Sequence, residues 1–245
     1  MNLPVYFISD IHLMLTSSTF EENKLKILFD FFKHIEKTGG VLFIVGDLFD
    51  FYFEYPHLIP KAYFRFYSKL FDLKQSGVEI HYILGNHDYW ILDFMTETLT
   101  TKSYKDDVQL KLKEKSFYIT HGDGLLPWDR GYRILKSIIR NPVFIWLFRW
   151  LHPTIAYRFA SWVANRSRHY EHSPDYNKRV LDELSEVAEQ YIASGTDYFL
   201  SGHYHQASEQ IIKNGKLIIL GDWIQYNSYG YFDGNDLTLK FWNVN

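Results

Sequence analysis

Seven residues of this chain carry side chains suited to holding metal ions: Asp10, His12, Asp47, Asn86, His121, His203 and His205. They fall in five short patches, Asp10-Ile11-His12, Gly46-Asp47, Gly85-Asn86-His87-Asp88, His121-Gly122-Asp123 and Gly202-His203-Tyr204-His205. In an extended segment residues i and i+2 face the same way, so Asp10 and His12 are expected to bind one ion together. The Asp47 carboxylate is placed to bridge two ions, and Asn86 offers a neutral amide oxygen. His121 and His203 complete a second site and His205 the first. Such a donor set suits Mn, Fe, Zn or Co rather than Ca or Mg alone. Two divalent ions side by side lower the pKa of water toward neutrality and clamp an in-line displacement at phosphorus. Hydrolysis of a phosphate ester is therefore the expected chemistry.

One patch alone says little, because a strand-terminal Asp or His is more often a turn former or a satisfied polar group. The weight comes from position. Apolar runs at residues 3–8, 41–45 and 78–84 read as buried strands, separated by helical patterns over 20–37 and 60–75. That alternation implies parallel βαβ units. Further strands are expected at 108–112, 116–120, 198–201, 208–212, 216–220 and 237–242, with Asn214-Gly215 as a hairpin signal. Each of the five patches sits at or just after the end of one of these strands.

The region between, 130–195, reads as wholly helical, with Ser173-Pro174 as a helix start and Gly195 as a stop. It is expected to be a lid inserted into a core made of 1–129 and 196–245. From Arg130 to Tyr170 it holds eight Lys or Arg and no Asp or Glu, against 18 basic and 29 acidic residues elsewhere. Asymmetry of this kind marks a surface for anions. The same stretch holds nine aromatic residues, and Pro142 and Pro153 bracket a short apolar helix over 143–151. That helix is too short to span a bilayer, and suits an interface or an acyl pocket. Trp146, Phe148, Trp150, Phe159 and Trp162 are the candidate membrane or acyl contacts of the insertion. No secretory leader is expected from the first residues, and with no cysteine the chain fits a reducing compartment. The expected location is the cytoplasm, peripherally associated with the inner membrane.

Taken together, Asp10-x-His12, Gly46-Asp47, Gly85-Asn86-His87-Asp88, His121 and Gly202-His203-x-His205 resemble the calcineurin-like metallophosphoesterase superfamily. The resemblance implies a four-layer αββα sandwich with a helical lid insertion and a metal pair at the sheet edges. It implies one ion on Asp10, His12, Asp47 and His205, and the other on Asp47, Asn86, His121 and His203. His87 is then left free to position phosphate or donate a proton, and Asp88 is expected to orient its ring.

A narrower resemblance rests on Gly46-Asp47-Leu48-Phe49-Asp50-Phe51, on His121-Gly122-Asp123-Gly124-Leu125 with Asp129, and on the helical insertion. It is to the UDP-2,3-diacylglucosamine diphosphatases of lipid A biosynthesis. It implies a lipid-linked nucleotide sugar as substrate, UMP and 2,3-diacylglucosamine 1-phosphate as products, Mn as the metal, and peripheral membrane attachment. It also implies substrate contacts at Asp129, Ser167, Arg168 and His203. Two departures stand out: His87 replaces an arginine of that family, and His169-Tyr170-Glu171-His172 replaces its substrate-facing asparagine and lysine. The alternative is a phosphodiesterase or nuclease of the same superfamily acting on another nucleotide or lipid-linked phosphate. A scaffold that had lost its chemistry would lack ligands or His87, and all are present. Neither a nucleic-acid nor a protein partner is expected.

Overall fold

β1 (Val5–Ile8) and β2 (Val41–Val45) are buried at every position because both of their faces are covered. Val5 and Phe7 point toward a second sheet, and Phe7 stacks on Phe117 across the gap at 5.9 Å. Tyr6 and Ile8 point the other way, onto α1 (Thr19–Thr38) and α2 (Phe64–Gln75). A run that is apolar on both pleat faces is what a strand between two layers requires.

The computed structural model describes residues 1–158 and 173–243. One sheet has the order β11-β10-β1-β2-β3-β4, with β3 at Glu79–Ile83, β4 at Lys102–Tyr104, β10 at Ser228–Phe232 and β11 at Leu237–Phe241. The other has the order β5-β6-β7-β9-β8, from β5 (Val108–Leu112), β6 (Lys115–Thr120), β7 (Tyr198–Ser201), β8 (Ala207–Ile212) and β9 (Gly215–Leu220). Helices α3 (Arg130–Ile139), α4 (Pro142–Arg149) and α5 (Pro174–Ala193) lie between β6 and β7 in the chain. The layers run α1/α2, first sheet, second sheet, α5, which is the expected αββα sandwich.

The expected 130–195 insertion is divided in space. Val180, Leu184, Ala188 and Ile192 of α5 pack on Tyr118, Phe199, Leu217 and Ile219 of the second sheet. This helix is thus an outer layer of the sandwich and makes β6–β7 a parallel crossover. Among the described residues of the insertion, α3, α4 and the helical residues 153–158 stand beyond the sheets, against Phe53, Tyr55 and Trp90.

Two further strands, β4 and β10, were not expected. β4 is three residues long, and β10 pairs antiparallel to β1 and carries Gly230 where a side chain would press on Phe7. The β8–β9 hairpin is present, but its register pairs Ile212 with Gly215, so Lys213-Asn214 makes the turn. Gly215 is required for another reason: a methyl there would come within 2.9 Å of the Ile192 side chain.

Candidate dinuclear metal centre

All five patches lie at the carboxyl ends of strands, those of β1, β2 and β3 in one sheet and β6 and β7 in the other. The twin sheets bring them to a common edge. Three overlapping groups form there: Asp10 with His12 and His205, His12 with Asp47 and His87, and Asp47 with His121 and His203. In each, the donor atoms lie within 4.8 Å of one another. Asp47 belongs to two groups. Its Oδ2 is 3.7 Å from His12 Nε2, and its Oδ1 is 3.4 Å from His121 Nε2. Asn86 Oδ1 is 3.2 Å from His121 Nε2.

The imidazoles are oriented as ligands require. His121 Nδ1 donates to the Val45 carbonyl at 3.0 Å, which leaves Nε2 as the nitrogen aimed at the cluster. His205 Nδ1 meets the Asp222 carboxylate at 3.1 Å, with Nε2 turned to Asp10 Oδ1 at 3.5 Å. Fixing one ring nitrogen to bare the other is the usual support for a metal-bound histidine. Asp10 Oδ1 and His12 Nε2 are buried without a hydrogen-bond partner. Orphaned polar atoms of this kind are costly unless a cation meets them. The residues present therefore fit a pair of divalent ions.

The backbone beneath them is unusual. Asp10, His12, Asp47, His203 and His205 all have left-handed conformations, with φ of 54°, 47°, 50°, 69° and 52°. Asp10 and His12 do reach one cluster, but the reason differs from the expected extended geometry. Two left-handed residues flank Ile11, and the chain curls around the site. Among the other described non-glycine residues only Lys113, Lys213 and Asn227 share this conformation, so the strain is concentrated where the ligands are.

Residues 3–207 match the family model described as calcineurin-like phosphoesterase. The chain belongs to the calcineurin-like phosphoesterase family. It is 30% identical to a UDP-2,3-diacylglucosamine hydrolase of Porphyromonas gingivalis, a match covering 98% of both chains. It is 25% identical to the enzyme of that name from Actinobacillus succinogenes, over 89% of this chain and 91% of the other. Among solved structures, an archaeal phosphodiesterase shares the fold with a TM-score of 0.50 and 13% identity, covering 98% of this chain and 99% of that one. The protein is accordingly a hydrolase, of a family that works with divalent metal ions.

In this phosphoesterase Asp88 does not hold the His87 ring. His87 Nδ1 donates to the Asp50 carbonyl at 2.6 Å, leaving Nε2 facing the centre, 3.9 Å from Asp47 Oδ2. Asp88 instead accepts from the Leu48 and Gly85 amides at 2.6 and 2.8 Å, tying the second and third patches together. Burial and the Asp47 carboxylate push its carboxyl up to about 6.

Charge at the centre is balanced by protons when no cation is there. Burial alone would raise Asp10, but His205, His12 and His121 hold it down at about 2. Against their own burial, His121 is pushed up to about 10, chiefly by Asp47, and His205 to about 9, chiefly by Asp10. His203 goes the other way, to about 4, through burial and the charge on His121. Near neutral pH both raised rings are protonated in the metal-free protein, and each must lose that proton to ligate. Metal uptake should therefore release about two protons and tighten as pH rises toward 9. Calorimetric titration with Mn²⁺ in buffers of different ionisation enthalpy checks this. A heat independent of buffer would contradict it.

The turn glycines offer a second test. Gly85 does not have left-handed backbone, yet a methyl on it would overlap both the Asp47 carboxylate and the Asp47 amide nitrogen. Gly85→Ala should push the turn that carries Asp47 aside and lower kcat by about a hundredfold or more, because displacing a reacting group by an ångström costs that much. Near wild-type turnover, with circular dichroism confirming the fold, would show that Asp47 tolerates the shift.

Residues beyond the ligands behave unevenly. Asp129 precedes α3 without capping it, and burial raises its carboxyl. Ser167, Arg168, Phe159 and Trp162 lie outside the described residues. Trp146 and Trp150 are 57% and 75% exposed, whereas Phe148 turns inward onto Phe53 at 4.7 Å and is not offered to an outer surface. Part of the basic stripe is neutralised. Asp123 Oδ2 takes Lys136 at 2.8 Å and Arg140 at 3.1 Å, and also accepts from Tyr132, whose ring lies 5.8 Å from that of His203. Asp222 was missed, though Gly221-Asp222 follows β9 just as Gly46-Asp47 follows β2.

Proposed function

We propose that this phosphoesterase hydrolyses the diphosphate of UDP-2,3-diacylglucosamine, releasing UMP and 2,3-diacylglucosamine 1-phosphate. The observation that carries the reading is the 30% identity to the Porphyromonas gingivalis hydrolase over 98% of both chains, helical insertion included. The described surface agrees with a lipid-linked substrate. Ile134, Leu135 and Ile138 on α3, Val143 and Trp146 on α4 and Trp150 at its C-terminal end are all exposed, soon after the His121 patch in the chain. An apolar face of this size on short helices suits the interface plane of a bilayer. No helix among the described residues is long and apolar enough to cross a membrane. Attachment is thus proposed to be peripheral, on the cytoplasmic side of the inner membrane.

Asp10, His12, Asp47 and His205 would hold one ion, and Asp47, Asn86, His121 and His203 the other, with Mn²⁺ the proposed occupant. The ions supply Lewis acidity at the phosphoryl oxygens and a nucleophile from water at neutral pH. The ring of His87, fixed through Nδ1, presents Nε2 to the phosphate, where in its protonated form it donates to a phosphoryl oxygen. Tyr132, whose ring lies near that of His203, and Asp129, just before α3, would meet the sugar side of the substrate. The nuclease alternative is disfavoured, because Lys136 and Arg140, two of the stripe's cations, are committed to Asp123.

The direct test is incubation with UDP-2,3-diacylglucosamine in mixed micelles with MnCl₂, followed by chromatography of the nucleotide. UMP release, stopped by EDTA and restored by Mn²⁺, is the expected result. Release of UDP, or turnover of bis-p-nitrophenyl phosphate with none of the lipid, would overturn the assignment.

A further inference from the structure

A lysine and a glutamate are buried together at the start of α1. Glu21 and Lys24 are each only 4% exposed, and Lys24 Nζ lies 2.9 Å from Glu21 Oε2. Neither belongs to the metal cluster. A buried ion pair is weak support for a fold, since well-packed apolar residues of the same size do as well or better. Its presence needs another explanation, and its partners supply one. Lys24 Nζ donates to the backbone carbonyls of Ile11 at 3.0 Å and His12 at 2.7 Å. Glu21 Oε1 accepts from the Met14 amide at 3.0 Å.

These partners sit in the segment that carries two ligands. Left-handed backbone at Asp10 and His12 removes the segment from any sheet ladder, so its polar groups need separate partners. The Asp10 and His12 amides go to the Gly46 and Asp47 carbonyls, and the Asp10 carbonyl accepts from the Trp223 amide. The next two carbonyls, those of Ile11 and His12, are met by Lys24. α1 is anchored independently through Leu28, Phe31, Phe32 and Ile35 against the first sheet. The lysine therefore transmits a rigid helix position to a strained ligand loop.

We infer that Lys24, held by Glu21, is a positioning residue that sets Asp10 and His12 for one of the two ions. The inference rests on the proposed metal centre. Lys24 reaches the ligand segment through its backbone carbonyls, as outer partners of metal ligands do. Both of these hydrogen bonds fall on the first patch, so the effect is expected at the Asp10–His12–His205 site. The Asp47–Asn86–His121–His203 site is reached by other supports, the Val45 carbonyl and Asp88 among them.

Lys24→Met alone would strand a buried carboxylate, so the test pairs it with Glu21→Gln, which keeps the oxygen facing Met14. Metal-free wild type and the double variant are titrated with MnCl₂ by calorimetry, and thermal midpoints of both metal-free proteins are recorded. The expected result is two binding steps in the wild type, one of them weakened about 10- to 100-fold in the double variant and the other unchanged. Adding Mn²⁺ to saturation should then restore kcat. Two wild-type steps in the double variant would overturn the inference. So would equal weakening of both steps together with a lowered metal-free midpoint, since that is what a lysine serving only the fold would give. A wild type that takes up no Mn²⁺ would remove the centre itself, and this inference with it.

Discussion

Replacing Asp47 with alanine or asparagine should lower kcat/KM at least about a thousandfold, a loss of roughly 4 kcal/mol of transition-state stabilisation. Among the described residues Asp47 is the carboxylate that belongs to two of the three donor groups. Its two oxygens look toward His12 and His121 respectively, at 3.7 and 3.4 Å, and the side chain is buried. Oδ1 also accepts from the His87 amide at 3.0 Å, which holds the residue bearing the phosphate-facing ring. Asparagine is the sharper substitution. It tolerates the left-handed backbone that residue 47 requires (φ 50°), keeps an oxygen, and removes only the charge. Metal analysis should show the bound ions falling from two to one or none, with the fold retained by circular dichroism. Turnover within tenfold of wild type, at any divalent metal concentration, would end the two-ion mechanism.

The double substitution Trp146→Glu with Trp150→Glu should release the protein from anionic lipid vesicles while leaving hydrolysis of a small soluble phosphodiester unchanged. Both rings are exposed and contact chiefly each other, at 5.9 Å. Their loss removes no packing from the core, unlike Phe148, which seats on Phe53. Each tryptophan withdrawn from an apolar environment costs roughly 1.5–3 kcal/mol, so partition should fall about a hundredfold or more. Hydrolysis of the lipid substrate should fall with it, through apparent KM rather than kcat. Vesicle flotation at matched ionic strength reads the effect. Unchanged flotation would mean that the exposed face on α3 and α4 has another use.

Much of this was legible in the residues, for physical reasons that differ from place to place. β1 and β2 announce themselves because a strand covered on both faces must be apolar throughout. The five patches are visible because parallel strands end where their helices begin, and a rigid strand end is where a ligand can be aimed. β10 hid behind Ser228, Gly230 and three aromatics, a composition set by close contact with Phe7 rather than by propensity. The role of Asp88 was misjudged because adjacency in sequence suggested a contact with His87. The turn instead sends its carboxylate back to Leu48 and Gly85. Asp123 could not be paired with Lys136 and Arg140 in advance, since that bond exists only once α3 has docked. α5 reads like its helical neighbours by spacing alone. Only the sheet beneath it shows that it is a wall and not part of the flap.

Five candidate ligand residues held in left-handed backbone make the rim of the site a loaded spring. Bound cations would hold that spring shut. Without them, hydrogen bonds to neighbouring turns and the His121–Asp47 and His205–Asp10 pairs are left to oppose its recoil. Limited proteolysis of the metal-free protein should therefore open this rim before the sheets, and added Mn²⁺ should slow the cut; equal rates with and without Mn²⁺ would show that the rim stores no such tension.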